Sequence, residues 1–82
     1  MSVDASSGTV RQVQVDVLSW LRDALEDQTV SADDNFLDVG GHSMMAIELN
    51  AWLTEKHGIT VGLASLFRES IGTAIASSVP GN

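Results

Sequence analysis

Cysteine and tyrosine are absent from this chain of 82 residues, and its aromatic side chains are limited to two Phe and two Trp. The missing thiols exclude disulfides, thiolate-held metals and a cysteine nucleophile, and they fit a reducing compartment. With so few aromatics, any core must be mostly aliphatic. Basic residues are scarce too: four Lys and Arg stand against eleven Asp and Glu, a formal net charge of −7. Nucleic acid attracts clustered Lys and Arg, so no nucleic-acid partner is expected. No stretch approaches the roughly 18 apolar residues of a membrane span, and Met1-Ser2-Val3-Asp4 lacks the basic and apolar regions of a signal peptide. Together these absences lead us to expect a soluble, cytoplasmic protein that does not engage a membrane.

What is present suffices for one small core, because 44% of the residues are hydrophobic. A chain of this size buries only roughly 60–65% of its unfolded surface, so a single compact domain must supply all the stability. Residues 1–8 are small, polar and rich in Ser, and a flexible segment is expected there. Thr9 with Gln12 has the form of a capping box. Beyond it Val10, Val13, Val17, Leu18, Leu21, Ala24 and Leu25 fall on one stripe at about 100° per residue, with Val15 opposite. Val13-Gln14-Val15-Asp16-Val17 also alternates like a β-branched strand. The stripe is longer than that alternation, and no other stretch offers a partner strand, so the spacing predicts a helix. Glu26 to His42 carries turn formers and no helical period. A connection that long must be tied down, and Val30, Phe36, Leu37 and Val39 are the expected ties.

A second helix is predicted from Ser43 to His57, closed by Gly58. Met45, Ala46, Leu49, Trp52 and Leu53 form its core face. Met44, Ile47 and Ala51 lie on the other side among Glu48 and Glu55, an apolar strip flanked by acids that suits docking. Leu63 to Phe67 can form one helical turn, with Leu63, Leu66 and Phe67 inward. Ser70 is a fair N-cap for a last helix from Ile71 to Val79, and Pro80-Gly81-Asn82 ends the chain. The expected architecture is all-α: a small bundle of three main helices plus one short helix, with a long first loop. Its limits are residues 9–79, with 80–82 a tail.

The chain turns on Asp38-Val39-Gly40-Gly41-His42-Ser43-Met44-Met45. Two glycines deliver Ser43 to the start of the second helix. A serine there can be an N-cap, its oxygen accepting a backbone N–H one turn on. It can also be an attachment point, because a helix start presents unpaired N–H groups and partial positive charge that favour a phosphate. Asp33, Asp34 and Asp38 precede it, and acids so close to a functional residue can steer a basic partner. Catalytic readings fail on pattern. Gly41-His42-Ser43 begins like a nucleophile elbow, but Met45 stands where the closing glycine should be and no strand precedes it. His42 and Ser43, as chain neighbours, do not make an oriented dyad. Asp33-Asp34-Asn35-Phe36-Leu37-Asp38 has the acids of a calcium loop without its glycine and closing glutamate, so no metal site is expected.

Val30 to Leu49, with Phe36-Leu37-Asp38-Val39-Gly40-Gly41-His42-Ser43 at its centre, resembles the core motif of the peptidyl carrier (thiolation) proteins of non-ribosomal peptide synthesis. These belong to the wider acyl carrier family. The likeness continues through His57-Gly58-Ile59 and Val61 to Leu66-Phe67 and covers residues 9 to 79. It departs at Val39 and Met44, where the family usually has Leu, at Gly62, where proline is frequent, and in lacking a Pro-Thr pair before the last helix. The resemblance implies an acyl-carrier-like four-helix bundle and 4′-phosphopantetheine carried on Ser43, with Gly41 and His42 beside it. A separate phosphopantetheinyl transferase would install the group from coenzyme A, and its thiol would hold an aminoacyl or peptidyl thioester. Expected partners are that transferase, an adenylation or acyl-loading enzyme, and condensation, ketosynthase or tailoring enzymes. They would meet a monomeric carrier at Met44, Ile47, Glu48, Ala51 and Asp38. Two alternatives stand beside this reading: a carrier of a polyketide or fatty acyl chain, and an unmodified adaptor that binds through the second helix. The start and tail suggest a free-standing carrier rather than an excised domain.

Overall fold

The computed structural model describes residues 5–79. Four helices follow in order: α1 (Ala5–Leu25), α2 (Ser43–His57), α3 (Leu63–Arg68) and α4 (Ile71–Ser78). Helix α1 packs against α2 and α4, and α3 packs against α4. Among the described residues the sole β pairing is an isolated antiparallel bridge between Asn35 and Ser70. The all-α bundle with a long first loop is the architecture its periodicity predicts. Of the terminal segments, residues 1–4 and 80–82 lie outside the described residues.

The competition between helix and strand over Val13–Val17 is settled by burial. Val13 and Val17, four apart, are buried, whereas Val15 between them is 55% exposed, the pattern of one helical face. The helix starts at Ala5, so the capping-box start expected at Thr9 is corrected. Extending a formed helix adds a hydrogen bond for each residue fixed, which is easier than nucleation, and Ala5 to Gly8 join on those terms. Ala24, expected on the buried stripe, is exposed. Leu25 takes the cover there: it packs against the core, and its Cδ2 would lie 3.5 Å from a Cβ on Gly40.

Helix α1 closes with Glu26 at φ 54. The Glu26 N–H donates to the Asp23 carbonyl at 3.3 Å and the Asp27 N–H to the Arg22 carbonyl at 3.0 Å, a Schellman closure with glutamate where glycine is usual. The Thr29 hydroxyl and N–H both donate to the Asp27 carboxylate, and the hydroxyl bond first, then the backbone bond, hold its pKa below the usual value. Helix α2 ends more conventionally, on Gly58 at φ 70, whose N–H donates to the Leu53 and Thr54 carbonyls.

The core gathers Val13, Val17 and Leu21 of α1, Leu49 and Leu53 of α2, Leu66 of α3, and Ile71 and Ile75 of α4, with Val30, Phe36 and Val61 from the connections. Truncating a buried Phe such as Phe36 to Ala costs about 3–5 kcal/mol. Trp20 and Trp52 stack at 6.2 Å. Beyond them the His57 Nε2 meets the Asp16 carboxylate at 2.8 Å, clipping the end of α2 to α1. Asn50 fixes the link after α2 by using its amide as a strand partner. Its Nδ2 donates to the Val61 carbonyl at 2.9 Å and its Oδ1 accepts the Val61 N–H at 2.8 Å.

Candidate functional site

The loop before α2 is held from both ends. Val30 and Phe36 are fully buried and Val39 is half-buried, as their role as ties requires. Leu37 is the exception: expected as a tie, it is 46% exposed. Phe36 dives into the core, and its chain neighbour leaves on the opposite side while its N–H is taken by the Asn35 side chain at 2.9 Å. Leu63, also expected inward, is 39% exposed. It is the first residue of a helix less than two turns long, whose cover falls on Leu66 and on Phe67, stacked on Phe36 at 6.1 Å.

Each glycine of the pair has its own backbone reason. Gly40 adopts φ +107, a conformation that side chains oppose. Gly41 lies on the Phe36 ring, where a Cβ would come within 2.5 Å of the ring carbons, and its N–H donates to the Phe36 carbonyl at 2.9 Å. The pair therefore does more than leave the loop uncovered. It brings the backbone down onto a buried ring immediately before the helix.

The cap of α2 is His42, not Ser43. His42 is extended at φ −150, and its Nδ1 accepts the Met45 N–H at 3.3 Å, while its carbonyl accepts the Ala46 N–H at 3.0 Å. Ser43 is the first residue inside the helix and is exposed. With the capping bond made by the imidazole, no hydrogen bond among the described residues uses the Ser43 hydroxyl. Of the two roles open to this serine, the structure removes the cap. The first-turn N–H groups of Ser43 and Met44 precede any intrahelical acceptor and sit at the positive end of a helix of 15 residues. An exposed hydroxyl beside unpaired donors fits a phosphodiester.

The remaining expected site residues are all exposed, and Met44, Ile47, Glu48 and Ala51 share one helical stripe of α2. Met44 and Ile47 are 60% and 56% exposed, and Glu48, Ala51, Glu55 and, from the loop, Asp38 are exposed as well. The opposite face carries Ala46, Leu49 and Leu53 fully buried, with Met45 and Trp52 packed against the core. The acids are not equivalent. Asp34 is half-buried and accepts the Ser31 N–H at 2.9 Å, so it shapes the loop and is not free to meet a partner.

Asn35 escaped the reading of the sequence. Its Oδ1 accepts the N–H groups of Leu37 at 2.9 Å and Asp38 at 3.2 Å, and its Nδ2 donates to the carbonyls of Phe67 and Glu69, each at 3.2 Å. The first pair of bonds is the local turn that Asn favours two residues on, a signal present in Asn35-Phe36-Leu37-Asp38. The second pair reaches across the fold and has no local signature.

With this geometry in view, comparison with known proteins is specific. A model of the family described as phosphopantetheine attachment site matches residues 11–73, more than half of the chain. HC-toxin synthetase of Cochliobolus carbonum is 38% identical over 55 residues, 67% of this chain and 1% of that protein. Fusarin C synthetase of Gibberella fujikuroi is 31% identical over 67 residues, 79% of this chain and 2% of that protein. A dimodular nonribosomal peptide synthase of Bacillus subtilis is 32% identical over 77 residues, 93% of this chain and 3% of that protein. The chain thus spans a small fraction of the length of the curated relatives it matches. No solved structure matches it. A four-helix bundle with an exposed, uncapped serine at the start of α2 and a family match running across it from α1 to α4 lead to one assignment: the chain belongs to the phosphopantetheine attachment family, whose cofactor is 4′-phosphopantetheine.

Proposed function

We propose that the chain is a peptidyl carrier in which the Ser43 hydroxyl is the attachment point. In the loading step the Ser43 oxygen attacks the phosphorus of coenzyme A that bears the pantetheine arm. The new P–O bond replaces the bond to the nucleotide, which leaves as adenosine 3′,5′-bisphosphate, and the serine proton passes to the transferase or solvent. The bound arm supplies a thiol that holds an aminoacyl or peptidyl group as a thioester. The chain's own contribution is presentation. Gly40 and Gly41 set the approach, the His42 ring takes the cap and so frees the hydroxyl, and the open first turn of α2 favours the phosphate. Catalysis belongs to partners, and the carrier has no turnover of its own. Partners would dock on Met44, Ile47, Glu48 and Ala51 with Asp38 at the edge: a phosphopantetheinyl transferase, an adenylation enzyme, and condensation or tailoring enzymes. We place the carrier unit in residues 9–79, as a monomer in the cytoplasm.

The observation that carries this reading is the exposed Ser43 hydroxyl, without a partner among the described residues because His42 makes the cap. Peptidyl cargo is favoured over a polyketide or fatty acyl chain by relatives that include a dimodular nonribosomal peptide synthase. The test is intact mass after incubation with coenzyme A and a broad-specificity transferase. One phosphopantetheinyl group is expected, absent in Ser43→Ala. A folded protein that gains no mass with a transferase able to load other carriers would support the unmodified adaptor instead.

A further inference from the structure

The loop that delivers Ser43 is joined to the α3–α4 junction by backbone and side-chain contacts together. Three sets of hydrogen bonds hold the loop against the α3–α4 junction. The Asp34 carbonyl accepts the Ile71 N–H and the Ala32 carbonyl accepts the Gly72 N–H, both at 2.9 Å. Gly72 eases that approach, because a Cβ there would lie 3.0 Å from the Ala32 Cβ, a tight contact. The third contact is the Asn35 amide, which uses both Nδ2 hydrogens on the Phe67 and Glu69 carbonyls.

Unlike the two backbone contacts, the Asn35 side chain also reaches forward. Its Oδ1 holds the Leu37 and Asp38 N–H groups, and its own carbonyl accepts the Val39 N–H at 3.2 Å. The next residue, Phe36, stacks on Phe67 and lies beneath Gly41. Asn35 and Phe36 therefore lock the start and the end of the turn that leads to His42 and Ser43. Both refer that turn to the end of α3. Phe36 does so by bulk in the core, and Asn35 by directed bonds at the surface of the loop.

We propose that Asn35 is a positioning residue for the loading of Ser43: it holds the hydroxyl in register with the bundle, and thus with the α2 face on which a transferase rests. This rests on the reading of Ser43 as the attachment point. Misplacing a reacting group by about 1 Å can cost as much as about 100-fold in rate, and the hydroxyl sits at the end of a loop whose orientation Asn35 fixes. Among the described residues Met44, Ile47, Glu48 and Ala51 make no side-chain hydrogen bond to Asn35, and a variant that keeps an acceptor for the Asp38 N–H should leave affinity for the transferase little changed.

Two substitutions separate the tether from the turn. Asn35→Asp keeps the oxygen that accepts Leu37 and Asp38 but loses the donors and sets a carboxylate against two carbonyls. Asn35→Ser keeps a short acceptor and cannot reach α3. The matched control is Asn50→Ser, which removes an equivalent amide clamp, on Val61, from the middle of α2. Steady-state loading from coenzyme A is measured by intact mass, at a temperature where circular dichroism shows each variant helical. Both Asn35 variants are expected to lose about ten-fold or more in kcat, with KM for the carrier within about two-fold, while Asn50→Ser loses stability and keeps its kcat. Wild-type kcat in either Asn35 variant, or an equal fall in Asn50→Ser, would overturn the proposal and leave Ser43 untouched. Mass gain that persists in Ser43→Ala would instead overturn the attachment reading, and this inference with it.

Discussion

Ser43 and Ser70 both stand at helix starts, and they differ by a single register position. Ser70 is the N-cap of α4. Its hydroxyl accepts the Thr73 N–H at 3.2 Å and bonds the Thr73 hydroxyl at 2.9 Å, so its oxygen is committed to the fold. Ser43 is one residue inside α2, with His42 in the capping place, and no hydrogen bond among the described residues uses its oxygen. The same side chain is structural in one setting and available in the other. A binding serine at a helix start needs the cap to be made by someone else. In α2 an imidazole makes it, at the long end of hydrogen-bond range, which keeps the helix start intact without shielding the neighbouring hydroxyl.

The strongest way to break the contrast is to exchange the roles. Ser43→Ala should abolish loading while changing stability by less than about 0.5 kcal/mol, as expected of a surface side chain with no bond among the described residues. Urea unfolding with intact mass on the same samples checks both halves. The double variant His42→Ser with Ser43→Ala is expected to fold and to take no phosphopantetheine. It keeps a hydroxyl one residue away, but commits it to the cap. Loading of that variant would show that register does not matter.

Next in size is the approach to the helix. Gly41→Ala forces a methyl into the Phe36 ring, an overpacking that should cost about 1–3 kcal/mol, with a fall in loading because Ser43 shifts with the loop. A thermal melt showing no loss would mean that the ring yields more readily than its full burial suggests. Smaller again is Ser70→Ala, which should cost about 1 kcal/mol for the lost cap and leave the loading rate unchanged below the melting point. His42→Ala should cost about 0.5–1 kcal/mol for the weaker imidazole cap. If Ser70→Ala proves as mild as Ser43→Ala, the two serines are not distinguished by capping at all.

The smallest effect is expected at the end of α1. Glu26→Gly relieves a left-handed residue and should add about 0.5–1 kcal/mol of stability, since a Schellman closure is already in place around it. Loading should be unaffected, and a urea midpoint that fails to rise would mean that the Glu26 side chain makes up for its backbone.

Much of this was legible in the chain. The 3.6-residue spacing of Val13, Val17 and Leu21, and of Ala46, Leu49 and Leu53, is a local property that burial then rewards, so the helices and their inner faces could be read directly. Ser70 as a cap and Gly58 as a stop are likewise local chemistry. Leu37 and Leu63 show the limit. Leu37 follows the buried Phe36, and which of two adjacent apolar residues enters a core depends on the turn between them, here set by the Asn35 side chain. Leu63 shares a helical stripe with Leu66 and Phe67, but it opens a helix of six residues and stays partly exposed.

Composition and pattern by themselves determined an acidic, thiol-free, all-α bundle and singled out Ser43 with its glycines, because periodicity and motif spacing are carried by neighbours along the chain. Tertiary structure decided that His42 rather than Ser43 caps α2. It decided that Gly41 is required by the Phe36 ring beneath it, and that Asn35 ties the serine's loop to the end of α3. Those contacts join residues distant in sequence or turn on a single step of register, and a hydrogen bond depends on where its two ends finally lie.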